Sequence, residues 1–251
     1  ARTRPPLGIA PLSGSCIGGR YHAAMSDPGT HFGWKTENAR LWVFPDLPCL
    51  EEGGWKIWLE QGEALLAASA AQAETVVGHG RNPARRVGIS GFQGVWRRNR
   101  HGGFFGSILG DRFLGAGRLE SEVVLSMHLR DAGVSTPKVL LALAVRSGPF
   151  WRQHLVTEEI LGAPTVFELR EQVEPLRAAH ELMESVFDLG LWAPDLHPGN
   201  LLWEEESGTC HLLDLAGARL LGRPLTPAER QTRRDRFSRF IRKHGTRVPR
   251  G

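Results

Sequence analysis

Asp195-Leu196-His197-Pro198-Gly199-Asn200 places a carboxylate and a carboxamide five positions apart on a segment of strong turn formers. Leu212-Leu213-Asp214 then returns a second carboxylate fourteen positions beyond Asn200. This set suits phosphoryl transfer from a nucleoside triphosphate. That reaction asks little covalent chemistry of a protein. It needs a carboxylate to orient the attacking hydroxyl and accept its proton, and hard oxygen ligands to hold Mg²⁺ against the phosphates. Asp195 is read as the base, with Asn200 and Asp214 as the metal ligands. A run of Asp, Pro, Gly and Asn would by itself be as readily a plain surface turn. The apolar hairpin predicted from Leu201-Leu202-Trp203 and His211 to Leu215 raises it above that, because it carries Asp214 back to the loop.

The elements that must position these residues can be read from periodicity. Trp55-Lys-Ile-Trp-Leu alternates like a short strand, Glu63 to Glu74 is Ala-rich and helical, and Val87 to Arg98 reads as strands around a Gly91 to Gly94 turn. Leu119 to Ala132 repeats apolar residues at helical spacing and stops at Gly133. Pro137 to Val145 and His154 to Ile160 are strand-like, and Val166 to Leu189 is helical with a division at Pro175. Pro227 to His244 is a basic helix with Phe237, Phe240 and Ile241 at i, i+3 and i+4. Strands come early and helices late, which predicts an α+β chain of two lobes. Residues 1–54, rich in Gly and Pro and without sustained period, are read as a peripheral or disordered extension. Residues 55–251 are read as the folded unit, with an N-terminal lobe over about 55–159 and a C-terminal lobe over about 160–251.

Length and composition are those of an ordinary soluble globular chain of 251 residues. Cys16, Cys49 and Cys210 share no CxxC or Cys/His spacing. That argues against a disulfide framework or a structural zinc site and for a reducing compartment. No apolar run approaches the length of a membrane span. The net charge is +4, and from Arg223 onward the only acids are Glu229 and Asp235, set among many Arg and Lys. An anionic partner near the C-terminus is expected from that asymmetry.

An Asp-x-x-x-x-Asn loop followed by a metal-binding Asp is the arrangement of kinase-like folds. His197 stands where protein kinases usually carry Lys, and only Leu215 to Gly251 follows Asp214, too little for an activation segment and a full helical lobe. A sugar or small-molecule kinase is therefore favoured over a protein kinase.

Further segments carry a closer likeness. Arg97-Arg-Asn-Arg100-His-Gly102-Gly103 resembles the Arg-x-x-Arg-x-Gly-Gly signature of the bacterial lipopolysaccharide kinases that phosphorylate 3-deoxy-D-manno-octulosonic acid (Kdo). Asp111-Arg112-Phe113, Arg118, Glu122, Ala132-Gly133-Val-Ser-Thr-Pro137 and Thr157-Glu158-Glu159-Ile160 follow in the same order. The resemblance spans roughly residues 75–243 and implies a two-lobed protein-kinase-like fold with a reduced C-terminal lobe. It makes Asp195 the general base and Asn200 and Asp214 the Mg²⁺ ligands. Arg97 takes the place of the strand Lys that grips the α- and β-phosphates of ATP, with Glu122 as its partner. Glu158, Glu159 and Ile160 form the hinge that meets adenine, and Gly78 and Gly80 belong to the loop over the phosphates. Ala193 departs from the pattern, since the family commonly has His two residues before the catalytic Asp.

The activity implied is ATP- and Mg²⁺-dependent phosphorylation of Kdo or another core sugar on a lipid A precursor, at the cytoplasmic face of a bacterial inner membrane. The basic C-terminal helix would touch anionic lipid there. Two competitors remain open: a phosphotransferase for a soluble aminoglycoside or sugar, and a non-catalytic kinase-like binding module. Nucleic acid is not expected as a partner, because no reader motif or stacking platform accompanies the charge.

Overall fold

The structure is a computed structural model that describes residues 22–23, 32–44, 47, 54–72, 76–77, 84–89, 91–101 and 109–245. Its larger part is an eight-stranded antiparallel sheet. In chain order the strands are β1 (His22–Ala23), β2 (Phe32–Lys35), β3 (Ala39–Val43), β4 (Val76–Val77), β5 (Ala84–Ile89), β6 (Phe92–Arg98), β7 (Val139–Ser147) and β8 (Phe150–Glu158). Across the sheet they lie in the order β1-β2-β3-β7-β8-β6-β5-β4. Helix α1 (Trp55–Gln72) covers one face, and α2 (Gly117–Asp131) packs against β7 and β8. The central strand β7 is consequently apolar from Val139 to Val145. Val139 to Ala144 are all buried, as expected of a strand covered on both faces.

The structure corrects the sequence reading at several points. The boundary at residue 55 cuts through the sheet, because β2 and β3 lie within the segment taken as peripheral. Leu41 pairs with Leu143 and Val43 with Leu141, and Leu41, Val43 and Ala39 are buried in the core. Trp55-Lys-Ile-Trp-Leu opens a helix instead of a strand. The buried residues of α1 are Trp58, Leu59, Gly62, Leu66 and Ala70. That stripe of helical period outweighs the short alternation at its start. The glycine turn is also tighter than expected: the chain reverses at Gly91, and Gly94 already lies within β6, paired with Val87 and Glu158.

The smaller, helical part holds α3 (Val173–Asp188), the ribbon β10 (Leu201–Glu204) with β11 (Thr209–Leu212), the short pair β9 (Leu191–Trp192) with β12 (Arg219–Leu220), and α4 (Pro227–Gly245). Pro175 sits in the first turn of α3 as expected, but 166–172 forms turns and not a preceding helix. Met183, Val186 and Phe187 of α3 are fully buried against Leu196, Leu201, Leu212 and Phe237. Gly190 closes α3 at φ 81°, and a Cβ there would lie 2.1 Å from the Arg223 carbonyl oxygen. Only glycine fits at that crossing, which ties the approach to the Asp195–Asn200 loop to the segment before α4.

Candidate active site

Strand alternation sends neighbouring arginines of β6 to opposite faces. Arg98 turns toward α1, where it meets Glu63 at 3.0 Å and also Asp111 at 3.1 Å. Arg97 turns toward α2 and pairs with Glu122, whose side chain is only 3% exposed. The Arg97 Nη1 also lies 3.3 Å from Asp214 Oδ1. Glu122 is held from its other side by the amide of Asn99, at 3.3 Å, and Asn99 donates as well to Gln153 Oε1. A guanidinium half withdrawn from solvent, braced by a buried carboxylate, is well suited to grip phosphate oxygens. Burial pulls the Arg97 pKa down and the nearby charge of Arg118 adds to that, while Asp214 opposes both.

The catalytic-loop candidates are placed by the β10–β11 ribbon. Its register sets Leu201 opposite Leu212, and one step further the Leu213 amide donates to the Asn200 carbonyl at 3.0 Å. Asn200 and Asp214 are thereby neighbours. Asn200 ends a short 3₁₀ turn (Pro198–Asn200) and its Nδ2 donates to the Asp195 carbonyl at 2.9 Å. The amide oxygen of Asn200 is thus the atom left for a cation. Asp214 Oδ1 accepts from the Ala216 amide at 2.9 Å, which fixes the carboxylate at the mouth of the ribbon. An amide oxygen and a carboxylate are both hard ligands of the kind Mg²⁺ takes, with phosphate oxygens and water completing its shell. Among the described residues no group of three or more His, Cys, Asp or Glu side chains could hold a metal ion.

Asp195 stands at the loop's open side, its side chain 52% exposed, and its Oδ1 accepts from Arg236 of α4 at 2.8 Å. His197 is turned away from the opening. Its ring stacks on Phe240 with centroids 4.1 Å apart and planes 8° from parallel. Burial lowers the His197 pKa, so the imidazole is neutral near pH 7. Ala193 is buried, and its carbonyl accepts a 3.4 Å hydrogen bond from Arg233. The Arg233 guanidinium lies over Trp192, 4.2 Å from the ring centre. Support for the loop therefore reaches it from α4, through Arg233, Arg236 and Phe240.

Glu158, Glu159 and Ile160 lie where β8 leaves the sheet for the helical part. The Glu158 carboxylate accepts from the Lys138 amide at 2.6 Å, and Glu159 pairs with Arg86 of β5 at 2.6 Å. Both acidic side chains are thus engaged in the frame of the segment, which leaves backbone groups for a base. Gly78 and Gly80 lie outside the described residues. The structure brings together Arg97, Glu122, Asp195, Asn200 and Asp214. The α4 residues Arg233, Arg236 and Phe240 were not foreseen as site residues, since nothing local in a basic helix says which loop it will cover. The apolar stripe of that helix faces inward: Phe237 is buried and Ile241 packs on the same core. Arg230 and Arg234 of α4 pair with Glu184 of α3 at 3.2 and 2.7 Å.

A sheet-rich lobe that offers a braced cation, joined by one crossing to a reduced helical lobe that offers Asp, Asn and Asp, defines the class of kinase-like phosphotransferase folds. The family model for the lipopolysaccharide kinase (Kdo/WaaP) family matches residues 69–235, and this chain belongs to that family. The chain is 25% identical over 159 residues to the 3-deoxy-D-manno-octulosonic acid kinase of Vibrio cholerae, covering 60% of this chain and 63% of that protein. It is 26% identical over 180 residues to the protein of that name from Photobacterium profundum, covering 66% of this chain and 71% of that one. A match from Vibrio vulnificus is 33% identical over 114 residues, covering 42% of this chain and 48% of the relative. A solved structure, WaaP in complex with acyl carrier protein, superposes with a TM-score of 0.47 at 18% identity, covering 79% of this chain and 88% of that one.

Proposed function

We propose that this protein is an ATP-dependent kinase that phosphorylates a sugar hydroxyl of Kdo on a lipid-linked lipopolysaccharide precursor. The observation that carries the reading is the convergence of Arg97, Asn200 and Asp214 beside an exposed Asp195. In this account Arg97, held by Glu122, grips the α- and β-phosphates of ATP. Backbone groups of Glu159 and Ile160 meet the adenine. Asn200 and Asp214 would hold Mg²⁺, which supplies charge neutralisation between the phosphates when bound. Asp195 orients the acceptor hydroxyl and takes its proton. The Kdo acceptor is supported by the names of the relatives, and the acceptor's lipid anchor by the family.

No helix among the described residues is long and apolar enough to cross a membrane. Work at the cytoplasmic face of the inner membrane would then depend on surface charge. With its apolar stripe facing the core, α4 offers the exposed Arg239, Arg242 and Lys243 to anionic headgroups.

Nucleotide binding is the test. Titration of a fluorescent ATP analogue should show saturable binding that needs Mg²⁺ and that weakens at least about tenfold in Asp214→Ala. Binding of equal strength without Mg²⁺, or unchanged in the variant, would contradict the assignment of the metal ligands.

A further inference from the structure

Phosphoryl transfer in this fold leaves one charge unaccounted for. The attacking oxygen and the γ-phosphate meet beside the catalytic Asp, and protein kinases place a Lys two residues after that Asp to offset the phosphate's charge there. In this chain the position is His197. Its ring lies flat against Phe240, and its Nδ1 is buried with no hydrogen-bond partner among the described residues. Gly199 packs so close that an added Cβ would lie 3.3 Å from the imidazole and 3.4 Å from Phe240. The loop residue is thus a packing element and not a cation facing the cleft.

A cation is nevertheless present at the same place, delivered from far along the chain. Arg236 Nη2 lies 2.8 Å from Asp195 Oδ1, and both side chains face the opening, 46% and 52% exposed. The remaining Arg236 nitrogens make no hydrogen bond among the described residues. Its position is set by its neighbours on α4: Phe237 is buried in the core, Arg233 is pinned over Trp192, and Phe240 sits on His197. A guanidinium can keep one nitrogen on the base and turn another toward a phosphate oxygen, since its donors form a rigid fork.

We infer that Arg236 is a catalytic residue that contacts the γ-phosphate during transfer and takes the role that the loop lysine has in protein kinases. The inference rests on the kinase reading above, and not on the identity of the acceptor. In the step, the acceptor oxygen bonds to the γ-phosphorus as the bond from that phosphorus to the bridging oxygen breaks. The electron pair of that bond stays with ADP, and the hydroxyl proton passes to Asp195. Negative charge on the transferring group lies within reach of Arg236 throughout.

The test compares Arg236→Gln and Arg236→Lys with the intact protein in two reactions: transfer to a Kdo-bearing lipid A precursor, and slow hydrolysis of ATP by water without acceptor. Removing a preorganised charged donor from a transferring group should lower kcat about 30-fold or more in both reactions. The acceptor KM should stay within about threefold, and Lys should recover part of the loss. Circular dichroism melting of both variants should match the parent, because Arg236 is half exposed. A raised KM for the acidic acceptor with kcat retained would overturn the inference and assign Arg236 to the acceptor's carboxylate. Unchanged kinetics would reduce the contact to a surface ion pair and overturn it equally. If the intact protein hydrolyses ATP but transfers nothing to Kdo, the acceptor is wrong while the hydrolysis ratio still decides Arg236. A protein inert in both reactions contradicts the kinase reading and this assignment together.

Discussion

Arg97 of β6 and Asp214 beyond β11 meet at 3.3 Å across the line where the sheet faces the helical lobe. One is the proposed phosphate grip and the other a proposed metal ligand, so their contact pre-sets the spacing at which a triphosphate and its cation would be held. Glu122 completes the arrangement from α2, and its burial makes it the sensitive member.

Replacing Glu122 by Ala leaves the Arg97 guanidinium partly buried and short of its main carboxylate. Loss of one partner from such a pair costs about 3–5 kcal/mol when fully buried. With Arg97 25% exposed, a loss of about 2–3 kcal/mol is expected in urea unfolding. The KM for ATP should rise about tenfold or more, measured on the fraction that remains folded.

Asp195→Ala should behave in the opposite way. Its carboxylate is exposed and its partner Arg236 is free to meet solvent, so the melting temperature should stay close to that of the parent. Turnover should fall at least about 100-fold through loss of the base. Retained turnover, measured as ADP release coupled to acceptor phosphorylation, would contradict its role.

Phe240→Ala should uncover His197. The imidazole pKa, followed by its NMR ring-proton shifts, should rise toward the ordinary value of 6.5 as burial is relieved. The loss of the stacked ring should cost about 1–2 kcal/mol. An unmoved pKa would show that Phe240 is not what buries the ring.

His154 gives a pH prediction away from the site. It is fully buried between α1 and the sheet, accepts at Nδ1 from Trp96 at 3.3 Å, and its pKa is pushed down to about 3 by burial and by the charges of Arg98 and Arg152, against the pull of Asp111. Glu63 Oε1 faces its other nitrogen at 3.7 Å. Below pH 6.5 the unfolded chain takes up a proton there that the folded chain refuses, so stability falls as pH drops from 6.5 toward 3. The slope is at most about 1.4 kcal/mol per pH unit. His154→Gln should remove that part of the slope, read as the difference between the two proteins' urea midpoints from pH 7 to pH 4.

What was legible in the sequence was local. Asp195, Asn200 and Asp214 sit within a turn and a hairpin whose geometry depends on adjacent residues, so their grouping could be read from spacing. The helix ending at Gly133 and the proline-started helix α3 carried their own punctuation. Strands β2 and β3 did not. They are four and five residues long, among Gly and Pro, and their identity as strands comes from pairing with each other and, for β3, with β7, about a hundred positions away. The start of α1 misled because Trp55 to Leu59 alternates, whereas its helical stripe emerges only with Gly62, Leu66 and Ala70. Arg236 was invisible as a site residue for a similar reason. Its contact with Asp195 spans 41 positions and depends on how α4 packs, which a run of arginines does not reveal.

The most direct measurement is transfer of labelled γ-phosphate from ATP, with Mg²⁺, to a Kdo-bearing lipid A precursor by the intact protein, beside Asp214→Ala. The account predicts labelled acceptor with the intact protein and at least about a 100-fold lower rate with the variant. Equal labelling by both proteins, or none by the intact protein with any Kdo-bearing acceptor, would contradict it.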